Sequence, residues 1–210
     1  MIKNLILDLG GVILDIDYQR TEEAFIALGI TDFEEIYSQM RQSPIFDRLD
    51  TGKIDADEFL DSLAGHCKKP VSREQVRDAW NRMLIGLPAE NLELLRELKP
   101  HFRLFLFSNT NAIHYPEFNE LISRQHGIAD FSGLFERAYY SHLARLRKPD
   151  EAAFNLVVRE NNLAPQETLF IDDSPQHVEA ARRTGISAVL KDKDESLREL
   201  LKRYLKWPAL

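Results

Sequence analysis

Short apolar runs recur along this 210-residue chain, separated by longer segments of helical periodicity. The runs are NLILD at 4–8, RLFLFS at 103–108, AYY at 138–140, TLFID at 168–172 and SAVL at 187–190. Runs this short, apolar without alternation, suit strands buried on both faces. Helical patterns occupy 91–98, 113–125, 151–161, 176–184 and 195–204, the fourth followed by Gly185 where a C-cap glycine belongs. Parallel neighbours need a crossover, usually a helix, so this spacing predicts an α/β fold with a Rossmann-like parallel sheet.

Residues 18–87 break the rhythm. They read as helical with no clear strand, with helix-start signatures at Thr31-x-x-Glu34, Asp55-x-x-Glu58 and Ser72-x-x-Gln75. After the last, Val76, Ala79, Trp80, Met83 and Leu84 follow at helical spacing. The chain is therefore expected to divide into an α/β core, 1–17 and 88–210, and a helical cap domain, 18–87, inserted after the first strand.

Charge and hydropathy narrow the partners. Lys and Arg number 27 against 34 Asp and Glu, a net charge of −7, so the broad basic surface of a nucleic-acid binder is not expected. The apolar N-terminal stretch is interrupted at Asp8, with no cleavage pattern, and no window approaches the ~18 apolar residues of a membrane span. A cytoplasmic protein without membrane contact is the expectation. Cys67 is the single cysteine and has no internal disulfide partner. Nothing in the chain sets its oligomeric state.

Ligands of a parallel sheet bind beyond the carboxyl ends of its strands. Three expected strands end there in polar clusters: Asp8 before Leu9, Gly10 and Gly11; Ser108 before Asn109, Thr110 and Asn111; and Asp172 before Asp173, Ser174 and Pro175. Asp8 beside glycines suits an anion-binding turn, or simply ends the strand. Ser108 and Asn109 read as ligands or as a helix cap. Asp172 and Asp173 repel one another unless a cation such as magnesium or strong donors neutralise them, although Asp173 or Ser174 also fits a helix cap before Pro175. Lys148, before Pro149, is either a solvated charge or a clamp on a phosphate or carboxylate.

Taken in the order Asp, Ser, Lys, Asp-Asp, these residues resemble the haloacid dehalogenase superfamily of aspartate-nucleophile hydrolases. Asp8 with residues 9–12 is similar to the family's nucleophile motif, Ser108 to the second, Lys148-Pro149 to the third and Asp172-Asp173 to the fourth. Residues 178–181 with Gly185-Ile186 are similar to the helix that follows, and 18–87 sit where many members carry a helical cap. Within the family the chain is similar to alpha-glucose-1-phosphate phosphatases.

The resemblance implies a magnesium-dependent phosphomonoesterase of a small phosphorylated metabolite such as a sugar phosphate. Asp8 is the implied nucleophile, forming an aspartyl-phosphate, with Ser108 and Lys148 assisting. Leu9, Gly10, Ser108, Asn109 and Lys148 would bind the phosphoryl group. Asp8, the Gly10 carbonyl, Asp173 and, through water, Asp172 would hold Mg2+. Phosphatases of the family usually carry a second Asp two residues after the nucleophile as general acid; here Gly10 stands there, and Asp15, Asp17, His177 or a cap residue is needed in its place. Phe46, Arg41 and Arg20 are candidates to line the cleft. A calcium-loop-like pattern from Asp47 to Glu58 has Leu49 and Thr51 where carboxylates are required, and reads as a turn at Gly52 between helices. Two rival readings share the fold. A metal-independent 2-haloacid dehalogenase conflicts with the Asp172-Asp173 pair, whereas a non-catalytic regulatory protein is favoured only by Gly10.

Overall fold

The computed structural model describes residues 1–30 and 44–205. Its strands are β1 (Asn4–Leu7), β2 (Asp15–Ile16), β3 (Leu84–Gly86), β4 (Arg103–Ser108), β5 (Arg137–Tyr140), β6 (Thr168–Asp172) and β7 (Ser187–Leu190). Five of them form a sheet in the order β5-β4-β1-β6-β7, every neighbouring pair parallel. The α/β expectation and all five apolar runs are met, with shifts of one residue at β1 and β5.

The runs lack alternation because both faces are covered. Leu5, Leu7, Leu106 and Ile171 point to one side, beneath the helices Ala89–Leu98, His114–His126 and Leu197–Tyr204. Ile6, Phe105, Phe107 and Phe170 point to the other, against Glu151–Glu160 and Pro175–Arg183. Successive strand residues alternate between the two cores. The chain enters the sheet at β1, builds outward through β4 and β5, then returns to the far side of β1 through β6 and β7. The carboxyl ends of β1, β4 and β6 therefore meet where the winding reverses, the natural site for a ligand.

The expectation of no strand within 18–87 is corrected. β3 pairs antiparallel with β2, tying the exit of the insert to its entrance. The helix Arg73–Asn81 stops before Met83 and Leu84, which were expected to continue it. Met83 N donates to Thr21 Oγ1 at 3.0 Å and Asp17 N donates to Met83 O at 2.8 Å, so partners distant in sequence override helical spacing. Asp55 caps Ala56–Ala64 and Ser72 forms a capping box with Gln75, as expected. Phe25, Phe46, Phe59 and Trp80 belong to a hydrophobic cluster made of residues of 18–87 together with Ile113. The signature at Thr31 and Glu34 and the candidate Arg41 lie outside the described residues.

Gly52, at φ +64°, makes the turn after the helix Pro44–Asp50. Glu58 pairs with Arg48 at 2.9 Å, and Asp55 is spent on its cap. The carboxylates of the calcium-like pattern are thus engaged by protein groups, Asp47 and Asp50 by Arg147, Asp55 by its cap and Glu58 by Arg48. No helix among the described residues is long and apolar enough to cross a membrane.

Candidate active site

Asp8 follows β1, and its backbone N–H still donates to Ile171 O at 3.0 Å, which anchors it at the sheet edge. Lys148 arrives from the loop after the helix Ser141–Ala144 and is fully buried. Its Nζ lies 2.9 Å from Asp8 Oδ1 and 2.6 Å from Asp172 Oδ2, and donates to Phe107 O at 2.8 Å. The solvated alternative for Lys148 is excluded. Asn109 holds the lysine loop: its Nδ2 donates to Lys148 O at 2.8 Å, and its Oδ1 accepts from Lys148 N at 2.9 Å. The amide side chain is thereby occupied. Leu9 N donates to Asp8 Oδ1 at 2.7 Å. Leu9, Gly10 and Ser108 line the same cavity as Asp8, a space of about 120 Å³.

Asp172 and Asp173, adjacent in sequence, have separate environments. Asp172, with no exposed surface, accepts from Lys148 Nζ, from Ser174 N at 2.8 Å and from His177 Nδ1 at 2.9 Å. Ligand atoms of Asp8, Asp172 and His177 cluster within 4.8 Å, but both Asp172 oxygens already serve these donors. Asp173 instead faces the cavity and has no ion-pair partner among the described residues. Gly11, at φ +71°, passes so close to its carboxylate that a Cβ there would collide with it. Gly10 is not left-handed; a Cβ there would meet Ile16 Cδ1 at 3.0 Å, the movable end of a side chain.

Electrostatics follow from this packing. Burial pushes Asp8 well above the ordinary carboxylate range, with Lys148 opposing and Asp172 and Asp173 adding. Burial, then the charge of Asp172, lifts Asp173 to about 6. Burial would raise Asp172 too, but Lys148 and His177 outweigh it and hold the carboxyl below its usual range. For Lys148, burial is outweighed by Asp172 and Asp8, so the ammonium persists. Asp8 and Asp172 thus share one lysine while Asp173 has no ion-pair partner among the described residues, an imbalance that a divalent cation would close.

The cavity is also lined by residues that the sequence did not assign to the site. Asp50, at the end of Pro44–Asp50, accepts from Asn111 Nδ2 at 3.3 Å and lies 3.6 Å from the Arg147 guanidinium. Burial raises its pKa, against the pull of Arg147. Arg147 also donates to Asp47 at 3.1 Å. Asn111 Oδ1 accepts from Ile113 N and His114 N, capping the next helix. The buried His114 stacks on Trp80 at 5.0 Å and is held neutral, its pKa lowered to about 3 by burial. The only sequence cue to Arg147 was its position beside Lys148; Asp50 lay within the calcium-like pattern.

Of the expected cleft residues, Phe46 lines the cavity, whereas Arg20 pairs at 3.6 Å with Asp17 and does not. Asp15 is exposed and Asp17 caps the helix Tyr18–Ala27, so among the named substitutes for an acid at Gly10 only His177 reaches the cavity.

The sequence family of haloacid dehalogenase-like hydrolases matches residues 2–185. A D-ribitol-5-phosphate phosphatase of Bacteroides thetaiotaomicron is 30% identical over 190 residues, spanning 88% of this chain and 89% of that protein. A HAD family enzyme from the same organism, solved as a point mutant with magnesium and inorganic phosphate, is similar in structure at a TM-score of 0.90 and 32% identity. That match covers 96% of this chain and 99% of the other. A sesquiterpene phosphatase of Aspergillus oryzae is 27% identical over 145 residues, 69% of this chain and 70% of its own length.

Proposed function

The chain belongs to the haloacid dehalogenase-like hydrolases and acts as a phosphatase on a small phosphorylated molecule; we propose that the molecule is a sugar or polyol phosphate, hydrolysed through an aspartyl-phosphate on Asp8. The observation that carries this reading is a cavity-facing carboxylate at the end of the central strand, held 2.9 Å from a fully buried lysine. Residues 18–87 act in it as the cap, supported by a hydrophobic cluster that they form with a single core residue, Ile113, and by Phe46, Asp50 and Trp80 in the cavity wall.

Asp8 Oδ1 accepts from Lys148 and Leu9 N, which orients the carboxylate and leaves Oδ2 to attack phosphorus. The bond to the leaving alcohol breaks and its electron pair departs on oxygen. Water then attacks the aspartyl-phosphate, releasing phosphate and restoring Asp8. Lys148 and the Ser108 hydroxyl balance the negative charge of the phosphoryl oxygens. For magnesium we assign Asp8, the Gly10 carbonyl and Asp173. Asp172, whose oxygens are taken by Lys148, Ser174 and His177, positions Lys148 rather than touching the metal. When bound, the cation neutralises the phosphate and lets two anions approach. A metal-free dehalogenase would leave the charges of Asp8 and Asp173 unbalanced.

Asp173 supplies one test. Its pKa of about 6 in the fold exceeds the ordinary 3.8, so the metal-free protein loses stability as pH rises between those values, by about 2–3 kcal/mol at neutral pH. Asp173→Asn should raise the metal-free Tm at pH 7.5 by roughly 5 °C. It should also abolish the further rise that magnesium gives the wild type. A lower Tm in the variant would mean that the ionised carboxylate is already compensated.

Gly10 supplies the test of the reaction itself. With no acid two residues after Asp8, kcat/KM across phosphate monoesters, from p-nitrophenyl to simple alkyl phosphate, should fall steeply as leaving-group pKa rises. Activity on every ester should require magnesium. Gly10→Asp should raise the alkyl rates by about tenfold to a hundredfold, since Ile16 need shift only a few tenths of an ångström. A flat dependence in the wild type would hand the proton to His177; turnover without magnesium would refute the reading.

A further inference from the structure

We infer that Asp50 and Arg147 form the hydroxyl-recognising end of the cavity and select phosphate esters of polyhydroxylated alcohols over those of apolar alcohols, an inference that rests on the phosphatase reading above. Both line the same cavity as Asp8 and Asp173, yet neither pairs with Asp8, Lys148, Asp172 or Asp173. Their side chains are only 11% and 15% exposed. A buried ion pair with a contact as long as 3.6 Å returns little for the hydration it gives up, so closing the cap is better served by apolar residues. What the pair provides is unused hydrogen-bonding capacity.

Among the described residues Arg147 Nε has no hydrogen-bond partner, and Asp47 and Asp50 engage only part of the five N–H donors of the guanidinium. Asp50 accepts from Asn111 at 3.3 Å, while a carboxylate has room for about four donors. A hydroxyl donates and accepts at once, so adjacent hydroxyls can give their protons to Asp50 and receive the Arg147 N–H. A second phosphate would be repelled by Asp50, and an ammonium by Arg147. An alkyl tail would offer neither group a partner beyond Asp47 and Asn111 and would strip water from their remaining N–H and lone pairs, a situation in which a polar site rejects an analogue.

Asp50 and Arg147 also join the insert to the core, and a purely structural role would affect every substrate alike. The test compares D-ribitol 5-phosphate with n-pentyl phosphate, which share a five-carbon chain and a primary ester. The ratio of their kcat/KM values should favour the polyol ester in the wild type. It should fall by about tenfold to a hundredfold in Asp50→Asn and in Arg147→Gln. An equal loss on both esters, or an unchanged ratio in either folded variant, overturns the inference. Calorimetric titration of Asp8→Asn with both esters and magnesium reads binding without turnover. Tighter binding of the polyol ester, lost when Asp50→Asn is added, supports the inference, and equal affinity overturns it. If the wild type hydrolyses neither ester the phosphatase reading fails, and the titration still decides the role of Asp50.

Discussion

Replacing Asp8 with asparagine is expected to lower phosphatase kcat by roughly 10⁴-fold or more, because an amide cannot form the aspartyl-phosphate on which the two half-reactions depend. The change is near-isosteric, and Leu9 N can still donate to the side-chain oxygen it now meets at 2.7 Å. Lys148 keeps Asp172 at 2.6 Å. Burial already disfavours the Asp8 charge, so removing it should not cost stability, and Tm should stay within a few degrees of the wild type. Steady-state assay and thermal melting of one preparation check both halves. More than about one hundredth of the wild-type rate in a folded variant would place the nucleophile elsewhere.

Lys148→Met should damage both fold and activity. Asp8 and Asp172 would then face each other without the cation between them, in a site where Asp172 has no exposed surface. Breaking a buried pair from one side costs about 3–5 kcal/mol, or roughly 10 °C in Tm for a chain of this size. The pH dependence separates this cause from lost packing of the lysine stem against Phe107 and Phe170. Without Lys148, burial and mutual repulsion raise the folded pKa of both carboxyls above the unfolded value. The deficit should therefore shrink as pH falls from 8 to 5 and the carboxyls take up protons. Adding Asp172→Asn should recover part of the loss at pH 8. A deficit independent of pH, or no recovery, would assign it to packing. Turnover should fall by more than 10³-fold, since the charge that balances the phosphoryl oxygens is gone.

The sheet was legible because its cause is local. A strand of a parallel sheet meets helices on both faces, so four to six consecutive apolar residues suffice to announce it, and β4, β6 and β7 begin and end where their runs do. Caps at Asp55 and Ser72 were legible for the same reason, since a cap is completed within three residues. β3 was not, because Leu84 continues the helical spacing of Trp80 and Met83 and joins a strand only where β2 lies opposite it.

In the site, residue types and chain order were enough to bring Asp8, Ser108 and the acidic pair to one sheet edge, because β1, β4 and β6 are neighbours, and to place Lys148 in the connection that follows β5 beside them. Their partners were beyond its reach. Asp172 and Asp173 are the same residue type in adjacent positions, yet strand alternation turns one toward Lys148 and the turn after β6 leaves the other facing the cavity. Gly10 and Gly11 differ in the same way, with only Gly11 in the left-handed region. Asp50 and Arg147 meet only when the insert closes on the core. What the amino-acid sequence by itself determined was therefore the periodicity, the caps and the chemistry available at each strand end, all encoded within a few residues. Which buried charge answers which was decided by the tertiary structure, because Coulomb energy and desolvation depend on neighbours that the chain brings together from far apart.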